Sequence, residues 1–162
     1  MEISIAKILK EMIKVSKGNT HDIDHFIRVW TYAKTIAELE EVDEKTKYII
    51  EVASITHDIA CPLCREKYGN TNGKNQEIEG EILVNDFLSN LLVDTNVIER
   101  VKYLVAHHHS FNDINGIDYQ ILIEADYIAN AIENKYSKEN ITNFSNKFIK
   151  TKSAKEIIES IF

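Results

Sequence analysis

The chain has 162 residues, enough for one domain with a proper core and too few to expect two. It is 44% hydrophobic and 28% charged, and its one proline and five glycines leave little material for linkers or low-complexity tails. A net charge of −7 disfavours broad attraction to nucleic acid or anionic lipid, while a small anionic substrate stays open where a cation locally inverts the field.

Met1–Ser16 alternates charged and apolar residues at helical spacing, unlike a signal peptide, and no apolar run approaches the roughly 18–20 residues of a bilayer span. The only cysteines, Cys61 and Cys64, make no secreted disulfide framework, so a cytoplasmic location is expected. Ile5, Ile8, Leu9, Met12 and Ile13 mark a first amphipathic helix, stopped at Lys17-Gly18-Asn19. Asn19, Thr20 and Asp22 offer caps to a second helix, with the stripe Phe26, Val29, Trp30, Ala33, Ile36 and Ala37. His25 lies one turn before Val29 on the edge of that stripe, and Arg28 is near enough to share its end of a pocket. By itself such a histidine reads as a hydrogen-bonded boundary residue. His21 and Asp22 suit capping or support better than ligation.

A third helix runs from about Asp43 to Asp58, with Ile49, Val52, Ala53 and Thr56 inward. His57 follows Ala53 by one turn, and Asp58 places a carboxylate at the negative end of the macrodipole, a conflict that a cation would repair. Cys61 to about Asn75 reads as a loop, with Arg65, Lys67 and Lys74 making it basic; it is either simply solvated or a phosphate contact. Its CxxC lacks the second Cys/His pair of a zinc finger and the βαβ context of a redox motif, which favours a structural role. A fourth helix from Gln76 to about Leu92 is expected to bury Ile78, Ile82, Leu83, Phe87, Leu88 and Leu91.

Asp94-Thr95-Asn96 caps a fifth helix with the inward line Val97, Val101, Leu104 and, one turn on, His108. Three consecutive histidines cannot all face inward, so periodicity favours His108, then His107, over His109. Asn112–Gly116 is turn chemistry. The sixth helix carries Leu122, Ile123, Ala125, Asp126, Ala129 and Ile132, and Asp126 sits mid-face, where a carboxylate must be neutralised, paired or bound to a cation. Asn130, one turn later, can share that cavity. Phe144, Phe148, Ile157, Ile158 and Ile161 read as one or two packing helices. Nowhere does a period-two pattern outcompete the helical stripes, so the fold class is all-α, with about six to eight helices.

Taken in order, His25, His57-Asp58 and Asp126 spell H…HD…D. With the HxxRV of His25–Val29 and the HDI of His57–Ile59, the pattern resembles the HD-domain superfamily of metal-dependent phosphohydrolases, over roughly Asn19 to Asn134. The resemblance implies a single HD-type bundle over residues 1–162, with its core at about 19–134 and C-terminal packing helices at 135–162. It implies that His25, His57, Asp58 and Asp126 hold a divalent ion (Mn, Fe, Co, Ni, Zn or Mg) and that Asp58, Arg28 and His108 act in catalysis. Asp58 would orient or deprotonate the attacking water, and Arg28, with His108 or a basic loop residue, would stabilise charge on the phosphate. Binuclear members carry a histidine four residues before a glycine, where this chain has Gln76 before Gly80, so one ion is expected and a second left open. The implied substrate is a small phosphorylated metabolite or nucleotide, with no nucleic-acid or membrane partner and homo-oligomerisation undecided. The competing readings are a non-catalytic metal- or nucleotide-binding regulatory module and a di-iron oxygenase of the same architecture.

Overall fold

The computed structural model describes residues 2–162; Met1, the first residue of the opening segment read above, lies outside them. Among the described residues the regular elements are nine helices: α1 Ile5–Val15, α2 Thr20–Leu39, α3 Glu44–Thr56, α4 Cys61–Tyr68, α5 Gly73–Asn90, α6 Thr95–His107, α7 Ile117–Glu133, α8 Lys138–Phe148 and α9 Lys152–Ile161. The all-α expectation holds, and none of these helices is long and apolar enough to cross a membrane.

Local chemistry sets the boundaries. Ser4, Asn19, Asp43, Asp94, Ser137 and Thr151 each cap a helix by accepting a backbone N–H from its first turn. The count exceeds six to eight because Cys61–Tyr68, expected as loop, is helical. Pro62 falls in its first turn, where a missing N–H costs nothing, and Gly69 ends it in the left-handed conformation at φ 72°.

The core is one contiguous cluster running through α1, α2, α3, α6 and α7, with α2, α3 and α7 packed on one another. The buried face of α5 differs from expectation. Ile78 and Ile82 are 53% and 61% exposed, and the inward row is instead Gln76, Gly80, Val84 and Leu88. Gly80 explains the rotation: a Cβ there would lie 2.8 Å from Val105 Cγ1, so the glycine lets α5 approach α6 along its i, i+4 row. Apolar residues outnumber the true contact row, and shape decided which face turned in.

Candidate metal centre

His25 comes from the second turn of α2, His57 and Asp58 from the end of α3, and Asp126 from the middle of α7, the three helices that pack together. His25 Nε2 lies 3.2 Å from both Asp58 Oδ2 and Asp126 Oδ1. His57 Nε2 lies 3.4 Å from the same two oxygens. All four residues of the H…HD…D pattern therefore converge. His25, His57 and Asp58 bring their ligand atoms close enough to one another to hold a single ion.

The orientation of the rings is as telling as their proximity. His57 Nδ1 donates to the Ser54 carbonyl at 2.7 Å, and His108 Nδ1 to the Val105 carbonyl at 2.7 Å, each at the C-terminal end of its own helix. His25 Nδ1 meets Glu133 Oε2 at 2.8 Å. Each ring is thus held by Nδ1 and presents Nε2 to the carboxylates, the way outer partners orient metal-ligating histidines. The Nε2 atoms of His57 and His108 are buried without a hydrogen-bond partner among the described residues. Buried polar nitrogens left in that condition are costly and call for a ligand. Two imidazole nitrogens and two carboxylates are a fitting donor set for a divalent transition metal or Mg.

Without a cation the four groups neutralise one another. Burial alone would lower the imidazolium pKa values, but the Asp126 and Asp58 carboxylates that face both rings at 3.2–3.4 Å raise His25 to about 11 and His57 to about 10. Burial alone would likewise raise the carboxyls. The charge of His57 and the facing His108 and His25 rings hold Asp58 well below the usual range, and the facing His25 ring with the charge of His57 does the same for Asp126.

The other candidates are sorted by position. His108 lies with Nε2 3.4 Å from Asp58 Oδ1, beside the centre, as the helical spacing of α6 suggests. His107 turns away, stacked on Tyr103 with ring centroids 4.1 Å apart and bonded to the Tyr103 carbonyl. His109, ranked behind it on sequence, lies with Asp58 and His108 in a second grouping that could hold an ion. Its Nε2, however, is engaged by Gln76 Oε1 at 3.1 Å, and desolvation of the ring on its protein side, with the neighbouring His108, lowers its pKa to about 4 although the residue as a whole is exposed.

A cleft of about 170 Å³ opens over Asp58 and Asp126, and Cys61, Gln76, His109 and Asn130 contribute to its walls. Arg28 is not among the lining residues. It is half-exposed, reaches Glu133 Oε1 at 3.5 Å, and borders a separate surface hollow with Asp24 and Tyr32. The guanidinium that does line the cleft is Arg65 of α4, held by Asp22 through two bonds of 2.6 and 2.7 Å.

Sequence reasoning missed Glu133 and the pairing of Asp22 with Arg65, and it ranked His109 last of the three histidines. Glu133 had a readable signal, since Asp126, Asn130 and Glu133 stand at i, i+4 and i+7 on one face of α7. Arg65 was read only as one of three basic loop residues that could meet a phosphate, and nothing marked Asp22 as its partner once its segment was read as a loop. Cys61 and Cys64 are both free and buried, and burial pushes the Cys61 thiol far up, which leaves it unreactive.

A family model described as the HD domain matches residues 22–136 of this chain. The fold is similar to a crystal structure described as a predicted HD superfamily hydrolase from an uncultured Thermotogales bacterium, with a TM-score of 0.68 and 22% identity. That match covers 96% of this chain and 82% of the other. No curated protein matches.

Proposed function

This chain belongs to the HD domain family, and on that premise we propose that it is a metal-dependent phosphohydrolase acting on a small phosphate ester. The observation that carries the proposal is the pair of buried Nε2 atoms, on His57 and His108, that face carboxylates and have no partner. His25, His57, Asp58 and Asp126 would hold the ion, which supplies polarisation of a phosphoryl oxygen and activation of water.

The chain's own groups do the rest. Asp58 turns Oδ2 toward His25 and His57 and Oδ1 toward His108, so one oxygen can ligate while the other orients water or accepts its proton. His108, fixed through Nδ1 with Nε2 3.4 Å from Asp58 Oδ1, would stabilise charge that develops on the ester beside that carboxylate. Arg28 acts through Glu133 and His25 as a positioning residue, and Arg65 is the cation placed to meet the phosphate once it parts from Asp22. In the reaction, water oxygen bonds to phosphorus as the ester P–O bond breaks, giving phosphate and an alcohol. Engagement of His109 by Gln76 favours one ion over two.

The test is elemental mass spectrometry of gently purified protein, followed by phosphate release from a panel of esters with the metal found. About one ion per chain and turnover that both vanish in Asp126→Ala, with helicity kept by circular dichroism, is the expected result. Metal and activity retained in that variant would overturn the ligand assignment. Saturable ester binding with no phosphate release would replace the enzyme with a regulatory module.

A further inference from the structure

Behind the centre lies a second hollow of about 410 Å³ that the H…HD…D chemistry does not use. His109, Asp126 and Asn130 line it and the cleft alike, so the two spaces meet at the candidate ligand Asp126. Its far wall is aromatic: Phe111 from the α6–α7 connection, Tyr127 of α7, Tyr136 and Phe144 of α8. Tyr127 and Phe144 lie face to face with centroids 3.7 Å apart, and Tyr136 stands 5.7 Å from Tyr127.

This wall has polar edges. The Tyr127 hydroxyl donates to the side-chain oxygen of Asn140, which also lines the hollow. At the other end Asn130 Nδ2 donates to Asp126 Oδ1 at 3.1 Å, tying the hollow to the centre. Aromatic faces flanked by two side-chain amides suit a flat ring with heteroatoms on its rim. Small-molecule sites of roughly 300–1,000 Å³ that combine apolar walls with a few polar groups are the usual kind. Phe111, Phe144 and Phe148 close on one another and Tyr127 stacks on Phe144, whereas Tyr136 is only partly buried and lines the hollow that Asp126 also borders.

We infer that this hollow is the specificity pocket for the leaving group, and that the substrate is a phosphate ester whose alcohol carries a planar aromatic or heteroaromatic ring. The inference rests on the phosphohydrolase reading for its substrate but not for its binding test. Phe144 packs within the phenylalanine cluster and its loss could unfold α8, so Tyr136, in the α7–α8 turn and only partly buried, is the residue to vary.

The experiment compares adenosine 5′-monophosphate, 4-nitrophenyl phosphate and glycerol 3-phosphate on the metal-loaded wild type, Tyr136→Leu and Tyr136→Phe. Stacking one ring on an aromatic side chain strengthens binding by about five- to a hundredfold. The ring-bearing esters should therefore show a KM about tenfold or more below that of glycerol 3-phosphate. Tyr136→Leu should erase that difference by raising the KM of the ring-bearing esters, and Tyr136→Phe should restore it. If only the nucleotide is favoured, the pocket reads ring and sugar together; if both ring esters are, the ring suffices. Equal KM values for all three esters, or a Tyr136→Leu effect shared by all of them, would overturn the inference. Adenosine, which has no phosphate, is followed separately by saturation-transfer NMR. Tyr136-dependent adenosine binding with no ester hydrolysed would sink the phosphohydrolase reading and keep the pocket. Ester hydrolysis without adenosine binding or ring preference would do the reverse.

Discussion

Helix α7 carries two carboxylates two residues apart, Glu124 fully buried and Asp126 lining the centre with its side chain 14% exposed, and they have opposite characters. Glu124 is 0% exposed and saturated by neutral donors: Lys150 N at 2.7 Å, Thr151 N at 2.9 Å, Thr151 Oγ1 at 2.7 Å and Gln120 Nε2 at 3.0 Å. Asp126 receives one amide, from Asn130, and otherwise faces imidazoles at 3.2 and 3.4 Å, one of which has no other use for its Nε2. The first site is complete and ties the start of α9 to the bundle; the second is complete only with protons or a cation. Burial of a charge therefore says little about function until its partners are known.

The sharpest break between the two comes from deleting each. Asp126→Ala should lose the bound metal and more than about a hundredfold of activity, beyond what losing an outer partner costs, while the helices persist. Glu124→Ala should keep the metal and lose roughly 3 kcal/mol of stability, because two backbone N–H groups and a hydroxyl are stranded. Elemental analysis and thermal melts of both variants check this; equal metal loss in the two would erase the distinction.

Next in size is Glu133, the outer partner of His25. Glu133→Ala should weaken metal affinity by about 10–100-fold with little change in melting temperature, read by competition against a chromogenic chelator. A change below twofold would remove Glu133 from the site.

The pH dependence follows from the raised histidines. In the metal-free chain their stabilisation is fully present below the unfolded pKa of 6.5 and is lost as pH rises toward about 10 for His57 and about 11 for His25. The depressed Asp58 and Asp126 contribute above the unfolded value of 3.8 and lose that contribution in acid. Metal-free stability from this cluster should thus peak between 3.8 and 6.5. A metal must displace the imidazolium protons, so its affinity should climb by about tenfold per pH unit for each proton released. Melts with metal and with chelator at pH 6 and pH 8 should show the larger metal-induced rise at pH 8. An equal rise at the two pH values would mean the histidines are neutral before the metal arrives.

The smallest effect is expected at Arg28. Its half-exposed pairing with Glu133 belongs to a class worth about 0–1 kcal/mol, so Arg28→Ala should cost no more than about fivefold in kcat/KM. Arg65→Ala should instead raise the KM of every phosphate ester. If Arg28→Ala costs a hundredfold in kcat, Arg28 meets the ester after all.

The centre was legible because its ligands follow helical rules that the sequence displays openly. His25 borders the stripe of α2, His57 ends α3, and Asp126 interrupts an apolar face. The argument that singled out Asp126 applies equally to Glu124, and sequence alone offered no way to tell them apart, because the donors to Glu124 come from Lys150 and Thr151, far along the chain. The rotation of α5 was hidden for a related reason: hydrophobicity ranked Ile78 and Ile82 as inward, whereas the contact row was chosen by steric fit. Pro62 suggested a loop because proline both breaks helices and begins them, and only the following turn shows which.

Gly80 links that packing to the chemistry. Val105, whose methyl group occupies the space a Cβ at residue 80 would need, is also the residue whose carbonyl aims the ring of His108. The spacing between two helices thus acts as a ruler for one imidazole. A single added carbon at position 80 would swing His108 without altering any charge, ligand or hydrogen-bonding group, which makes Gly80→Ala a purely mechanical way to mistune the centre.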